Sequence, residues 1–572
     1  MKQISTLVLV CLFLHTCLFA QTPNRYDVVI DELMADPSPQ VGLPNNEWIE
    51  LRNTSSTTIN LLGWRIGDAG SQSGPMPNYN LKPDSFVIVC TASAVIAMSV
   101  YGPVISVTGF PTLDNTGDII FLRSAQNKII HAVNYSDAWY QNELKKEGGW
   151  TLEMIDSKNP CQGSVNWSAS ADIKGGTPGK KNSADRINTD KTAPVLLRAY
   201  ATDSVNITMV FDEPLDSLKA APVANYSISD GIGTPQNVIV QSPLFNRVLV
   251  KTGAPLQQNK IYTITASGVI DCTGNSIGAK NLVRIGLPVA ADSFDIVVNE
   301  VLFNPVANGV DYVEIYNRGK KIIDLKSIYI ANRNFSGTIS SITQLSEENY
   351  LFFPEEFLVI TTDVSIVKRD FITHNTGAFS ELSSMPSFND DKGNVVILNA
   401  QGKIVDELAY SEKWHFKLID NPEGVALERI DYNGITQKQD NWHSAATSVG
   451  YGTPTYKNSQ YHTDQELKGE VKTIPEIFSP DNDGMDDYAT IEYSFPTPGY
   501  VANITIFDAG GRAVRYLQRN ALCGIKGNYR WDGLGEKDQK LPVGIYIIYT
   551  EIFNIDGKKK QFKQAIVLAR RS

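Results

Sequence analysis

The chain repeats itself. "DVVIDELMADP" at 27–37 returns as "DIVVNEVLFNP" at 295–305, and "EWIELRN" at 47–53 returns as "DYVEIYN" at 311–317. "DNTGDIIFL" and "DDKGNVVIL" follow in the same order, then "GWTLEMID" and "GVALERID". Both copies close with "NWSAS" or "NWHSA" and then "GGTPGKKNS" or "YGTPTYKNS". Ordered recurrence of this kind means two domains of one kind, so whatever folds the first copy must also fold the second.

The local pattern decides the class. Short alternating runs such as "VLVKTG", "YTITAS", "NVVILN" and "ITIFDAGG" are separated by Gly, Asn, Asp and Pro turns, and no long amphipathic helix is present. At 572 residues the chain has room for about four domains. The expectation is an all-β chain of four Ig-like β-sandwiches in series after a signal peptide.

The first residues, "MKQISTLVLVCLFLHTCLFAQ", carry Lys2, an apolar run from Leu7 to Ala20 and a small residue before Gln21. They read as a secretory signal over 1–20, cut after Ala20, in preference to a lipidated Cys17. No later stretch approaches the roughly 18 apolar residues of a membrane helix. Loss of Lys2 takes the formal charge from −11 to −12, which repels phosphate backbones and argues against nucleic acid as a partner. Of the cysteines outside the signal, Cys90 and Cys161 are the pair expected to share a domain, and no zinc spacing occurs.

The recurring blocks resemble the lamin tail domain, over 25–185 and 293–460. That likeness implies an immunoglobulin-like sandwich and an add-on module of exported proteins, not a reaction. Between the copies, "ITMVFDEPLD", "YTITASGVID" and the Thr273-Gly274-Asn275 turn resemble a bacterial Ig-like domain, over 190–288. From 470 to 572, "SPDNDGMDDY", "DAGGR", "WDG", "GIY" and a last strand ending in arginine resemble flagellar hook-capping Ig-like domains and type IX secretion sorting domains. Such a tail implies engagement of the secretion machinery through 470–572 and a cell-surface or extracellular destination.

Several residue groups invite chemistry. Asp481, Asp483, Asp486 and Asp487 surround Gly484 and are the candidate Ca²⁺ ligands, although an EF-hand register fails with Ser479 at position 1 and Thr490 at position 12. A strand-entry turn held by its own side chains is the competing reading. Glu32 with Glu50, and Glu300 with Glu314, can meet across neighbouring strands as paired carboxylates, or else fix backbone or pair with Arg52 or Arg318. Trp64, Trp139, Trp150, Trp414 and Tyr410 are candidates for stacking on sugars, whereas Trp167 and Trp442 recur at one place in both copies and read as core. The histidines at 131, 374, 415, 443 and 462 show no metal spacing and read as solvated or rim residues. No "GxSxG", "HExxH" or Gly-rich phosphate loop is present. The expected function is non-enzymatic adhesion or structural display at the cell surface, toward a polymer, glycan or protein ligand. The alternative is a polysaccharide-binding accessory protein beside a separate enzyme.

Overall fold

The computed structural model describes residues 23–417, 419–461, 469–554 and 559–570; the expected signal over 1–20 and His462 lie outside them. The class is all-β, and the longest α-helix described is Val364–Asp370. The chain divides into two compact units. One holds the first copy with 205–255 and 262–284; the other holds 200–204, 256–261 and the residues from 285 onward.

In the first unit, a six-stranded sheet runs in the order Trp167–Ala169, Leu152–Met154, Val28–Met34, Trp48–Asn53, Phe86–Cys90, Val104–Ser106. It faces a three-stranded sheet of Arg65–Gly67, Gly117–Arg123 and Ile129–Ser136. Ile49 and Leu51 point into the core between them with Leu33, Trp64, Ile120, Leu122 and Trp167. Side chains alternate along a strand, so Trp48 and Glu50 take the opposite face. That face is also covered: Trp48 joins Met34, Leu43, Ile88, Cys90 and Met98 in a second cluster. Every residue of Val28–Met34 is therefore buried.

The following sandwich has four strands, Leu196–Ala201, Asn206–Phe211, Arg247–Lys251 and Asn237–Gln241, and three strands, Tyr226–Ile228, Tyr262–Ala266 and Leu282–Ile285. Cys161 of the first copy is bonded to Cys272 of this sandwich, with Cα atoms 6.2 Å apart. Cys90 and Cys161 share a domain as expected but are not bonded to each other. Cys90 ends a central strand opposite Trp48 and is a buried free thiol, while Cys161 sits on a loop facing the next domain.

In the second unit the second copy repeats the first. Its six-stranded sheet runs Phe379–Glu381, Phe357–Thr361, Tyr312–Asn317, Ile296–Leu302, Leu427–Arg429, Trp442–Ser444. The tail pairs a five-stranded sheet, built on Tyr500–Asp508 and Gly544–Asn554, with a three-stranded one. Phe416 of the second copy shares a buried cluster with Val501 and Leu522 of the tail.

Candidate functional site

Two rows of buried glutamates are the most unusual chemistry in the chain. In the first copy Glu50 lies opposite Glu32, and Glu32 lies opposite Glu153. In the second, Glu314, Glu300 and Glu428 hold the same register. Residues in register share a face, so each set is a row of three carboxyls across three strands, all 0% exposed. A register shift just before Glu32 and Glu300 marks a bulge at Asp31 and Asn299.

The closing blocks of the repeat explain why these rows exist. In the first copy Thr177 N–H donates to Glu32 Oε1 (2.7 Å), Gly179 N–H to Glu50 Oε2 (2.5 Å) and Ala184 N–H to Glu153 Oε2 (2.7 Å). In the second, Thr453 N–H donates to Glu300 (2.8 Å), Thr455 N–H to Glu314 (2.5 Å) and Gln460 N–H to Glu428 (2.8 Å). A loop crossing a sheet face cannot leave its backbone donors unmet, and the carboxylates satisfy them. The expected pairing of Glu32 with Glu50 and Glu300 with Glu314 is real, but it fixes backbone. The third members, Glu153 and Glu428, escaped sequence reasoning even though "LEM" and "LER" carry them in both copies. Arg52 pairs instead with Asp84 (2.8 Å) and Asp185 (3.4 Å), and Arg318 donates to Phe294 O (2.9 Å) and Asn433 Oδ1 (3.1 Å).

Burial sets the protonation of these rows. It raises Glu32 to about 8, with Glu153 adding to the effect, and raises Glu300 to about 8, with Glu428 adding. Glu50 and Glu314 are driven well above the usual carboxyl range by burial and then by Glu32 and Glu300 respectively. Geometry agrees: Thr453 Oγ1 lies 2.9 Å from Glu300 Oε2 and 2.8 Å from Glu428 Oε1. One hydroxyl has one proton to give, so one of these carboxyls must supply its own.

Two of the histidines, His131 and His415, are buried rather than solvated, whereas His374 is exposed and His443 is partly buried. His131 is fully buried, its Nδ1 accepting from Ile30 N–H (2.9 Å) and its Nε2 lying 3.0 Å from Pro160 O, which requires the neutral Nε2–H tautomer. Burial lowers it to about 4. In the second copy Asp406 takes the same place, accepting from Val298 N–H (2.8 Å) and pairing with buried Arg429 (3.2 Å). His415 is buried beside Ser444 and Phe303, while His374 stacks on Tyr456 at 3.9 Å.

The aspartate turn brings Asp481, Asp483 and Asp487 within 4.8 Å of one another, while Asp486 is not one of the three. Asp487 accepts from Asn482 N–H (2.6 Å) and Gly484 N–H (2.9 Å), and Asp483 accepts from Met485 N–H (2.9 Å). Asp486 has φ of 54° and gives its carbonyl to Ser479 N–H. A second group, Asp190, Glu213 and Asp271, also has oxygens within 4.8 Å. That spacing would suit a hard cation. Asp271, however, is already occupied by Thr273, Gly274 and Asn275 N–H on Oδ1 and Asn275 Nδ2 on Oδ2.

Of the sugar-stacking candidates, Trp64 and Tyr410 are buried in the cores, as are Trp167 and Trp442. Trp150 and Trp414 are half-buried against those cores. Trp139 is also half-buried, but it lines a cavity of about 740 Å³.

Comparison with known families now fits the geometry. The Lamin Tail Domain model matches residues 21–137 and 290–412, and the CHU_C type IX secretion signal domain model matches 472–568. The chain carries two lamin tail domains and a type IX secretion signal domain. It is exported, to the cell surface or beyond. None of the matched domains is a catalytic module. Among the described residues no helix is long and apolar enough to cross a membrane. No curated protein matches the chain. Similar solved structures include the S-layer protein rSbsC, 15% identical over 67% of this chain and 55% of that one, with a TM-score of 0.16. PorZ, an essential surface component of the type-IX secretion system of Porphyromonas gingivalis, is 12% identical over 79% and 56%, with a TM-score of 0.17. A tetra-tandem repeat from a large adhesion protein is 12% identical over 95% and 99%, with a TM-score of 0.13. The chain spans about half the length of the S-layer and PorZ structures, and likenesses this loose carry no argument. The matched lamin tail regions stop at 137 and 412, short of Glu153, Glu428 and both closing blocks.

Proposed function

We infer that the protein is a non-enzymatic element displayed at the cell surface, delivered by its tail, with adhesion or structural support as its role. The observation that carries this reading is what the strongest acid clusters are used for. All six row glutamates are 0% exposed, and the closing blocks donate to every one of them. A general acid or nucleophile must reach a substrate atom, and carboxyls capped in this way reach only their own backbone. The glutamate rows, the disulfide and the shared Phe416 cluster favour rigid presentation of loops over chemistry.

The test is delivery. A chain truncated at about residue 470 should remain periplasmic, whereas the full chain should be cut by protease added to intact cells. Surface exposure of the truncated chain would sink the assignment of delivery to the tail, and measurable hydrolysis of polymers by the purified chain would sink the non-enzymatic reading.

A further inference from the structure

The 740 Å³ cavity lies between the first lamin tail domain and the sandwich that follows it, within one compact unit. The lamin tail side contributes Trp139, Asn134 and Gln162; the other side contributes Asp212, Glu213 and Asn246. Its size falls inside the roughly 300–1,000 Å³ range of small-ligand sites. Among the described residues, no Lys, Arg or His lines it.

Its walls are fixed to each other. The Cys161–Cys272 bond joins them beside the cavity, and Gln162 donates to Thr192 Oγ1 (3.2 Å). Arg25 adds a third tie: it donates to Leu215 O (2.8 Å) and lies 4.1 Å from the Phe245 ring centroid and 4.6 Å from that of Tyr26. A site whose walls are already held loses little freedom on binding.

Trp139 is placed with equal care. It sits in the 3-10 turn Asp137–Tyr140, which Ser136 caps by accepting from Ala138 N–H. Its ring packs at 6.1 Å from Trp167, and a Cβ on Gly163 would come within 3.3 Å of its six-membered ring. Trp139 and the corresponding Trp414 of the second copy both pack partly against their own cores, and Trp139 in addition lines this cavity.

We propose that this cavity binds a neutral polysaccharide, with Trp139 as the stacking surface and Asn134, Gln162, Asn246, Asp212 and Glu213 as hydrogen-bond partners for hydroxyls. An indole offers an apolar face to the C–H side of a sugar ring, and amides and carboxyls match a ligand dense in hydroxyls. A cavity with two acidic and no basic side chains disfavours uronic-acid or sulfated polymers. The proposal rests on the display reading and deepens it by naming what the displayed surface holds.

The experiment uses the full exported chain. Cellohexaose, laminarihexaose, mannohexaose and a galacturonate hexamer are titrated by calorimetry and by tryptophan fluorescence, with trilysine as a further probe. The expected result is saturable binding of at least one neutral hexamer, none of the galacturonate, and loss of affinity by about tenfold in Trp139→Ala. Because Trp139 also packs on Trp167, Asn134→Ala and Asn246→Ala provide independent variants that should each weaken binding. Trp414→Ala should bind as the natural chain does. No binding of any neutral hexamer by a chain with an unaltered melting curve overturns the proposal. So does binding unaffected by all three cavity variants, or trilysine binding abolished by Trp139→Ala in the absence of glycan binding. Whole-cell protease accessibility of the same variants separates the two readings: a surface-exposed chain without glycan binding refutes this site and leaves display standing.

Discussion

The two lamin tail domains solve one problem with different atoms. In the second copy the bulge residue is Asn299, whose Nδ2 donates to Glu314 Oε1 (2.8 Å), and Tyr312 OH donates to Glu300 Oε1 (2.6 Å). In the first copy the corresponding residues are Asp31, which has no such donor, and Trp48, whose Nε1 finds no protein partner. Glu50 Oε1 and Glu32 Oε2, which lie on directly opposed residues, are left without a protein hydrogen bond. With Asp31 for Asn299 and Trp48 for Tyr312, the first row is left with two empty oxygens, whereas each carboxyl oxygen of Glu300 and Glu314 has a hydrogen-bond partner. A buried carboxyl row is tolerated by retaining protons and by supplying donors; both copies do the first, and the second copy does more of the second.

The largest expected effect breaks the second copy where the first lacks the group altogether. Arg429 corresponds to Met154, and Asp406 to His131. Arg429→Met strands Asp406 as a buried charge and should cost about 3–5 kcal/mol. Adding Asp406→His restores the first copy's arrangement and should recover much of that loss. Amide exchange of the Ile296–Leu302 strand in the full chain measures both. No rescue by the second substitution would mean that the two arrangements are not interchangeable.

Glutamine substitutions should have opposite signs in the two copies. Glu314 accepts from Asn299 Nδ2 and Thr455 N–H, one on each oxygen, so Glu314→Gln turns a donor toward a donor and should cost about 1–3 kcal/mol. Glu50 accepts from Gly179 N–H on one oxygen only, and an amide on the other can donate toward Glu32. At pH 8, Glu50→Gln should therefore stabilise by an amount on the order of 1 kcal/mol. Equal losses in both copies would show that the empty oxygens of the first are not what distinguishes it.

The pH dependence follows in the same frame. Glu32 and Glu300 titrate near 4.5 unfolded and are raised to about 8 by burial, so between those values the native chain binds more protons than the unfolded one. Stability must fall as pH rises through that window, and Glu50→Gln should flatten the fall in the first copy alone. His131 acts at the other end. It is lowered to about 4, so its contribution is lost as pH drops from about 6.5 toward 4. Thermal melts of the full chain at pH 4, 6 and 8 test the slopes, and a melt that rises steadily to pH 8 would refute the assigned protonation.

Much of this was legible in the sequence, because strand alternation and repeated blocks are local signals. That Glu32 meets Glu50 followed from two neighbouring strands. That Glu153 joins them did not, because its strand arrives more than a hundred residues later, and no spacing rule spans that distance. The Cys161–Cys272 bond was missed for the same reason: its halves belong to different domains. Trp139 was named with four other aromatics, and only the tertiary fold distinguishes it from Trp64 and Tyr410, which the cores consume. Burial also escaped at His131, since a histidine whose two ring nitrogens both find backbone partners looks no different in sequence from a solvated one.

The smallest expected effect extends the comparison to acids that were never buried. Asp481 and Asp483 are exposed, whereas the glutamate rows are sealed, and water can solvate charges that the rows must neutralise. Asp487 holds two backbone N–H groups, and Asp481 accepts from Ser479 Oγ (3.1 Å) and Asp483 N–H (3.3 Å). Those bonds are what a strand-entry turn requires of its side chains. A tight Ca²⁺ site, held at about 100 times its Kd, would add roughly 2.7 kcal/mol, which for a tail of this size means a rise in Tm of about 10 °C or more. The turn alone predicts a shift under about 2 °C on adding millimolar Ca²⁺ or EDTA, and this is the expected outcome. Asp483→Ala should then lower the tail's Tm slightly and equally with and without Ca²⁺, because it removes the bond to Met485 N–H and no ion. A large Ca²⁺-dependent rise that disappears in Asp483→Ala would instead make Asp481, Asp483 and Asp487 a cation site, with the exposed acids paired by a metal where the buried ones are paired by protons.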